Sequence, residues 1–236
     1  MKMSNQIKRY LYKISGHAIA NKKYRWGINI LEKYAKRYSF NENEKYRLGL
    51  LYDHLAMKIK LVKNEKQKRD LFEHYLKKAK IIYKDILKEN PKYLHAIYGL
   101  GRIYNIEGDC DKALYYQKKA FKQMIKLPKN QRGALAIGVI YQKMGDYKNA
   151  EKWYLKEYKA CRKDDFGTNL NLFNFYKTTK KYKKALYYGL KTEKLLETEF
   201  KKKQYKDLKI KNSDFLKSIK KEINDVKVAV KNEGFV

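Results

Sequence analysis

Proline is almost missing from this sequence: Pro91 and Pro128 are the only two among 236 residues. Proline removes a backbone donor and clashes with the preceding helical turn, so its scarcity leaves nearly the whole length open to helix. Cysteine is equally rare. Cys110 and Cys161 stand alone, without metal-ligand spacing, which excludes the disulfide-stapled secreted class. Acidic residues are scarce, 25 against 57 Lys and Arg, for a formal charge of +32. Arginine is scarce among the cations, at only eight. Sequence-specific base reading favours the planar fork of arginine, so a lysine coat speaks against it. Long apolar runs are absent too. The basic stretch from Met1 to Tyr12 is followed by Lys13, His17, Lys22 and Lys23 where a signal peptide would carry its apolar core. Neither a signal peptide nor a membrane span is expected, and a reducing cytoplasm is the expected location.

The signatures of common catalytic chemistry are also missing. There is no Gly-rich loop ending in Gly-Lys-Ser/Thr and no Gly-x-Ser-x-Gly elbow. Gly99-Leu100-Gly101 is a fragment of a dinucleotide fingerprint, but it lies inside a predicted helix and not after a strand. His17, His54, His74 and His95 are scattered and form no His-Glu-x-x-His set. Cys110 falls beside a predicted hairpin turn, a poor place for a nucleophile. Asp164-Asp165 reads as a solvated loop more readily than as a metal site. No catalytic residue, metal site or cofactor is expected.

What the sequence does contain is 44% hydrophobic residues, 23 of them tyrosine, arranged with a repeat. The clearest unit runs Ile97, Leu100-Gly101, Tyr104, Gly108-Asp109, Ala113, Ala120. About 37 residues on, the pattern returns as Ile137-Gly138, Tyr141, Gly145-Asp146-Tyr147, Ala150 and Tyr154. A third copy has Leu172, Tyr176, Lys181-Tyr182, Ala185 and Gly189. Upstream stand Leu48-Gly49 and Tyr52, then Ala79, Tyr83, Ile86 and Pro91, with the two halves spread apart by Lys58 to Arg69. The first copy reads Leu11, Ile14-Ser15, Ala18, then Lys23-Tyr24, Gly27, Leu31 and Tyr34. In each, apolar residues recur at three- and four-residue steps, the period of a helix with one buried face. Gly101, Gly138, Ala113, Ala150 and Ala185 allow close helix approach, and Gly108 and Gly145 suit helix ends that need a left-handed residue. Tyr52, Tyr104, Tyr141 and Tyr176 fall at the position that packs between helices. A helical hairpin cannot bury its apolar face alone, whereas stacked hairpins bury it between neighbours.

These residues resemble the tetratricopeptide repeat (TPR) family over roughly residues 8 to 199, in five copies. The Trp usual in the first helix is absent, and Phe173 and Lys180 stand where small residues are usual. The resemblance implies an all-α, right-handed superhelical solenoid of antiparallel helical hairpins with copies at 8–41, 42–93, 94–130, 131–165 and 166–199. The extra length at 58–69 is either longer helices or an inserted loop. Residues 200–236 read as a basic linker followed by a helix, capped at Asn212-Ser213-Asp214 and striped by Phe215, Ile219, Ile223, Val226 and Val230. That helix is expected to cover the end of the array, with a separate partner-binding helix as the alternative.

The resemblance further implies that first helices line a concave binding groove. In register, this places Arg9, Tyr12 and Lys13 of the first copy there, with Tyr46, Arg47 and His54 of the second. The third contributes His95, Tyr98, Arg102 and Asn105, and the fourth Arg132, Val139, Gln142 and Lys143. The last contributes Asn171, Asn174 and Lys177. Arg pairs carboxylates and Asn bonds peptide backbone, so the set suits an acidic peptide or protein, although part of it can equally be a hydrated face. The expected function is a non-catalytic interaction scaffold or adaptor. The alternative is non-specific RNA or DNA binding through the lysine coat. A competing reading of the excess charge is the Lys-, Asn-, Ile- and Tyr-rich bias of an A+T-rich coding sequence, which does not by itself explain 25 Asp and Glu against 57 Lys and Arg.

Overall fold

A computed structural model of the chain describes residues 3–60, 66–126, 133–161, 165–201 and 209–233. Among them are eleven α-helices and no strand. They are α1 (Asn5–Ala20), α2 (Tyr24–Ala35), α3 (Glu42–Lys60), α4 (Lys66–Glu89), α5 (Leu94–Glu107), α6 (Cys110–Met124), α7 (Ala134–Lys143), α8 (Tyr147–Ala160), α9 (Phe166–Thr178), α10 (Tyr182–Lys201) and α11 (Lys209–Glu233). They fall into two compact units, Met1–Gln123 and Met124–Val236. None of these helices is long and apolar enough to cross a membrane.

In the first unit α1 pairs with α2, α3 with α4, and the pairs pack in series through α1, α2 and α3, then through α4 and α5. Leu11, Leu31, Leu51, Ile86, Ile97 and Leu100 make the core, each at most 1% exposed. The α5–α6 turn takes Gly108 at φ +87°, in the left-handed region that glycine enters without penalty. Lys22 and Lys180 hold the same kind of turn at φ +55° and +57°, so a side chain does not prevent that turn. The long second hairpin owes its extra length to helix: α3 has 19 residues and α4 has 24, against 12 to 16 in α1, α2, α5 and α6. Residues 61–65 lie outside the described part.

In the second unit α7 packs on α8, α8 on α9, α9 on α10 and α10 on α11. Ile219, Ile223 and Val226 of α11 join one buried cluster with Phe173, Tyr176, Ala185 and Tyr188. The terminal helix therefore packs on the last hairpin through Ile219, Ile223 and Val226 of the expected stripe, with Val230 half-buried and Phe215 41% exposed. Its start differs from the expectation. The helix begins at Lys209, so Asn212, Ser213 and Asp214 lie within it and not at its cap. A cap side chain contributes only about 1 kcal/mol, too little to fix a boundary when the preceding residues can extend the helix by a turn. Asp165, by contrast, caps α9 by accepting from the Thr168 N–H at 2.8 Å. Asp164 lies outside the described residues.

A polar clasp recurs in both units. Glu32 on α2 accepts from the hydroxyl of Tyr52 on α3 and stands 3.6 Å from Lys78 Nζ on α4. Glu151 on α8 accepts from the hydroxyl of Tyr176 on α9 at 2.9 Å. It also accepts from Lys181 at 2.5 Å and Lys184 at 2.9 Å, both beside or on α10. Each carboxylate thus ties the second helix of one hairpin to both helices of the next. Burial pushes the Glu151 carboxyl up, but the bonds from Lys181, Lys184 and Tyr176 outweigh it and hold the group down at about 2. Because the folded value lies below the unfolded one, this clasp stabilises fully above the unfolded carboxylate range. Its contribution is lost as the pH falls from there through about 2. Thermal unfolding of the Glu151→Gln variant, followed between pH 6 and 2, is expected to show a shallower loss of stability in acid than the parent chain. An identical acid limb would show that Glu151 holds no such clasp.

Candidate functional site

The surface expected to bind a partner resolves differently in the two units. In the first unit the first helices of three hairpins, α1, α3 and α5, bring their polar residues into contact. The Arg47 guanidinium lies 3.5 Å from the centroid of the Tyr12 ring. Its Nη1 donates to Ser15 Oγ at 2.8 Å, and Ser15 in turn donates to the Tyr12 carbonyl at 2.9 Å. This fixes the arginine on α1 while leaving Tyr12 60% exposed. On the same helix Arg9 and Lys13 are exposed. On the far side of α3, Tyr46 stacks on His95 of α5 with centroids 5.1 Å apart, and Tyr93 closes the cluster at 5.9 Å. Burial pushes the Tyr46 hydroxyl up, against the pull of Arg102 and Arg47. Burial likewise pushes Tyr93 up, to about 12. Both tyrosines are neutral donors at neutral pH.

Arg102 pairs with Asp53, whose side chain is only 1% exposed. The other carboxylate oxygen of Asp53 accepts no hydrogen bond. A carboxylate held out of water needs its partner cation, so this arginine, itself 33% exposed, is held by Asp53 and is not a free cation. Burial also holds the Arg102 guanidinium below its ordinary value. His54 faces elsewhere. It stacks on Tyr24 of α2 at 5.5 Å, and burial lowers its affinity for a proton. Tyr98 is 38% exposed, and its carbonyl accepts from Gln117 Nε2 at 3.2 Å. Asn105 is half-buried.

In the second unit Gln142 and Lys177 are drawn into internal contacts. Gln142 accepts from the Tyr154 hydroxyl at 2.7 Å. Lys177 bonds Glu222 of α11 at 2.5 Å and lies over the Phe173 ring. Lys143 and Asn174 are exposed, while Val139 and Asn171 are half-buried. Arg132 lies outside the described residues. The repeat pattern does not single out Asp53, Ser15 or Glu222 as partners of this face. The one local signal is for Asp53, a lone acid in the apolar stretch from Gly49 to Ala56. Among the described residues no three His, Cys, Asp or Glu side chains are grouped to hold a metal ion.

No family model matches the chain, and no curated protein matches it. Solved structures do. A MamA RS-1 ArsTM double mutant aligns over 84% of this chain and 98% of its own, with TM-score 0.62 and 14% identity. A crystal structure of MamA aligns over 86% and 100%, with TM-score 0.58 and 16% identity. TTC0263, a thermophilic TPR protein in Thermus thermophilus, aligns over 87% and 97%, again with TM-score 0.58 and 16% identity. At such identities the likeness speaks of backbone alone, and together with the eleven described helices it makes this an all-α, TPR-like helical-repeat fold.

Proposed function

We propose that the protein is a non-catalytic interaction scaffold that captures an acidic peptide or acidic protein surface on the first-helix face of its first unit. The observation that supports this most is the row formed by Arg9, Tyr12, Lys13 and Arg47. Three cations and one aromatic ring stand together, with the ring 60% exposed and one guanidinium already fixed against it. Pre-fixed side chains lose little freedom on binding, which is where much of the cost of association lies. Arginine and lysine then meet carboxylates, and the tyrosine supplies apolar area. His95 and Tyr98 extend the same helix face on α5.

At physiological salt the chain is expected to bind a blocked glutamate-rich peptide more tightly than random-sequence RNA or DNA. Replacing Arg9, Tyr12 and Lys13 together by alanine should weaken capture by about tenfold, equivalent to about 1.4 kcal/mol, with the helical circular dichroism unchanged. Arg102→Ala is unsuited to that test, since it strands the buried Asp53 carboxylate. The second reading, non-specific nucleic-acid binding, draws support from the charge of +32. Equal binding to every oligonucleotide, collapsing by about 0.3 M salt, would establish it in place of the first.

A further inference from the structure

The α1–α2 turn, the first turn of α2 and the C-terminal end of α3 border an open cavity of about 460 Å³, within the size range of ligand pockets. Its charged lining is of one sign: Lys22, Lys23, Arg25 and Lys58. Two other cavities of the same unit differ. One is lined by Asp85 and Glu89, both bonded to Lys45. The other is lined by Glu73 and Glu107, the latter bonded to Lys80. In this chain carboxylates are few and repeatedly bind lysines, yet none among the described residues reaches these four cations. Lys58 Nζ instead donates to the Lys22 carbonyl at 3.5 Å and stands 5.9 Å from the Tyr24 ring.

The rest of the lining is aromatic and aliphatic. Tyr24 is fixed by its stack on His54 at 5.5 Å, and Trp26 by the edge of His17 at 5.7 Å. Trp26 remains 41% exposed. Leu55 and Ile59 of α3 complete the wall. A ligand matching this lining needs an apolar or aromatic group for the interior and negative charge on both sides of it.

We infer that this cavity is an anchor pocket for an acidic peptide segment, taking one aromatic side chain between Tyr24, Trp26 and Leu55 while flanking carboxylates meet Lys22, Lys23, Arg25 and Lys58. The inference rests on the acidic-partner reading above and adds a docking point away from the α1 face. Charge complementarity selects the acidic segment. The aromatic walls select the residue at its centre.

Trp26 and Trp153 are the only tryptophans, so in a Trp153→Phe background the indole in the pocket reports alone. The probe is a blocked peptide with one phenylalanine flanked by two acidic residues on each side. Saturable change in Trp26 emission is expected, at least about tenfold weaker for the same peptide with alanine at the centre. The Lys23→Glu, Arg25→Glu variant should lose the response, while Lys148→Glu, Lys152→Glu on α8 should keep it. Equal loss in both charge-reversed variants would reduce the effect to long-range attraction and overturn the pocket. Inorganic phosphate or adenosine monophosphate binding as tightly as the peptide would overturn it in favour of a nucleotide. Calorimetric peptide binding that disappears on replacing Arg9, Tyr12 and Lys13 but survives in the pocket variant would leave the scaffold reading standing and sink the pocket. No peptide binding at all would sink both. Should the double reversal lose its helical signal, Arg25→Ala repeats the measurement.

Discussion

Replacing Tyr83 by alanine is expected to destabilise the first unit by about 3–5 kcal/mol, the cost of deleting a large buried aromatic side chain. Tyr83 of α4 is 1% exposed, and its ring is wedged between two backbones. A Cβ built on Gly99 of α5 would stand 2.6 Å from its Cε2, and one on Gly49 of α3 would stand 2.8 Å from its Cε1. The ring therefore fills the space that two missing side chains leave. Tyr83→Phe keeps the ring and should lose far less. Gly99→Ala forces a methyl into that ring and should cost about 1–3 kcal/mol by overpacking. Combined with Tyr83→Ala, the same methyl enters the vacated space, so the double variant should lose less than the sum. Urea unfolding read by Trp26 in a Trp153→Phe background follows the first unit by itself. Strict additivity would show that the ring and the glycines do not share one packing site.

Removing Glu157 should have the next largest effect, a loss of about 2–4 kcal/mol in the second unit, from a vanished cap and vanished bonds to a charged acceptor. Glu157 on α8 is 5% exposed. Its Oε2 accepts from the N–H groups of Gly133, Ala134 and Leu135 at 3.0, 2.8 and 3.2 Å. These are amides at the start of α7, which have no partner within their own helix, and Gly133 brings no side chain to cap them. The carboxylate also complements the positive end of the helix dipole. Its Oε1 accepts from Cys161 Sγ at 3.6 Å. In Glu157→Ala the Ala134 and Leu135 amides should lose hydrogen-exchange protection ahead of the rest of α7. Glu157→Gln, which keeps an accepting oxygen without the charge, should fall between parent and alanine. Unchanged protection in the alanine variant would mean that the cap is dispensable.

The hairpins can be read from the sequence because their signals are local. Gly108-Asp109 and Gly145-Asp146 mark turns by backbone need, with φ +87° and +78° at the glycines. Tyr52, Tyr104 and Tyr176 mark the buried step of their first helices and are 2%, 6% and 1% exposed, while Tyr141 at the same step is half-buried. Helical period and small-residue spacing act over a few residues, so they are written in consecutive positions. The binding face is harder to read, because a side chain's partner depends on which helices meet. Arg102 looks like a free groove cation until α5 lies against α3 and meets Asp53, 49 positions earlier. Lys177 looks free until α11 brings Glu222 to it across 45 positions. Tyr12 and Arg47 both fall on the face by register, but their mutual stacking needs α1 and α3 side by side. The cavity beside Trp26 is not marked by the repeat pattern, since it forms only where the α1–α2 turn and the first turn of α2 meet the C-terminal end of α3.

The recurring clasps at Glu32 and Glu151 bear on how this chain can change. A protein with so few acids has placed two of them where one carboxylate joins adjacent hairpins. Exchange among the lysines outside these clasps leaves such joints untouched, whereas losing a clasping glutamate, or the Lys181 and Lys184 that meet Glu151, opens one. Tolerance to substitution is therefore uneven by charge: most of the abundant sign is replaceable, whereas Glu32 and Glu151 of the rare sign, with the few lysines that meet them, hold neighbouring hairpins together.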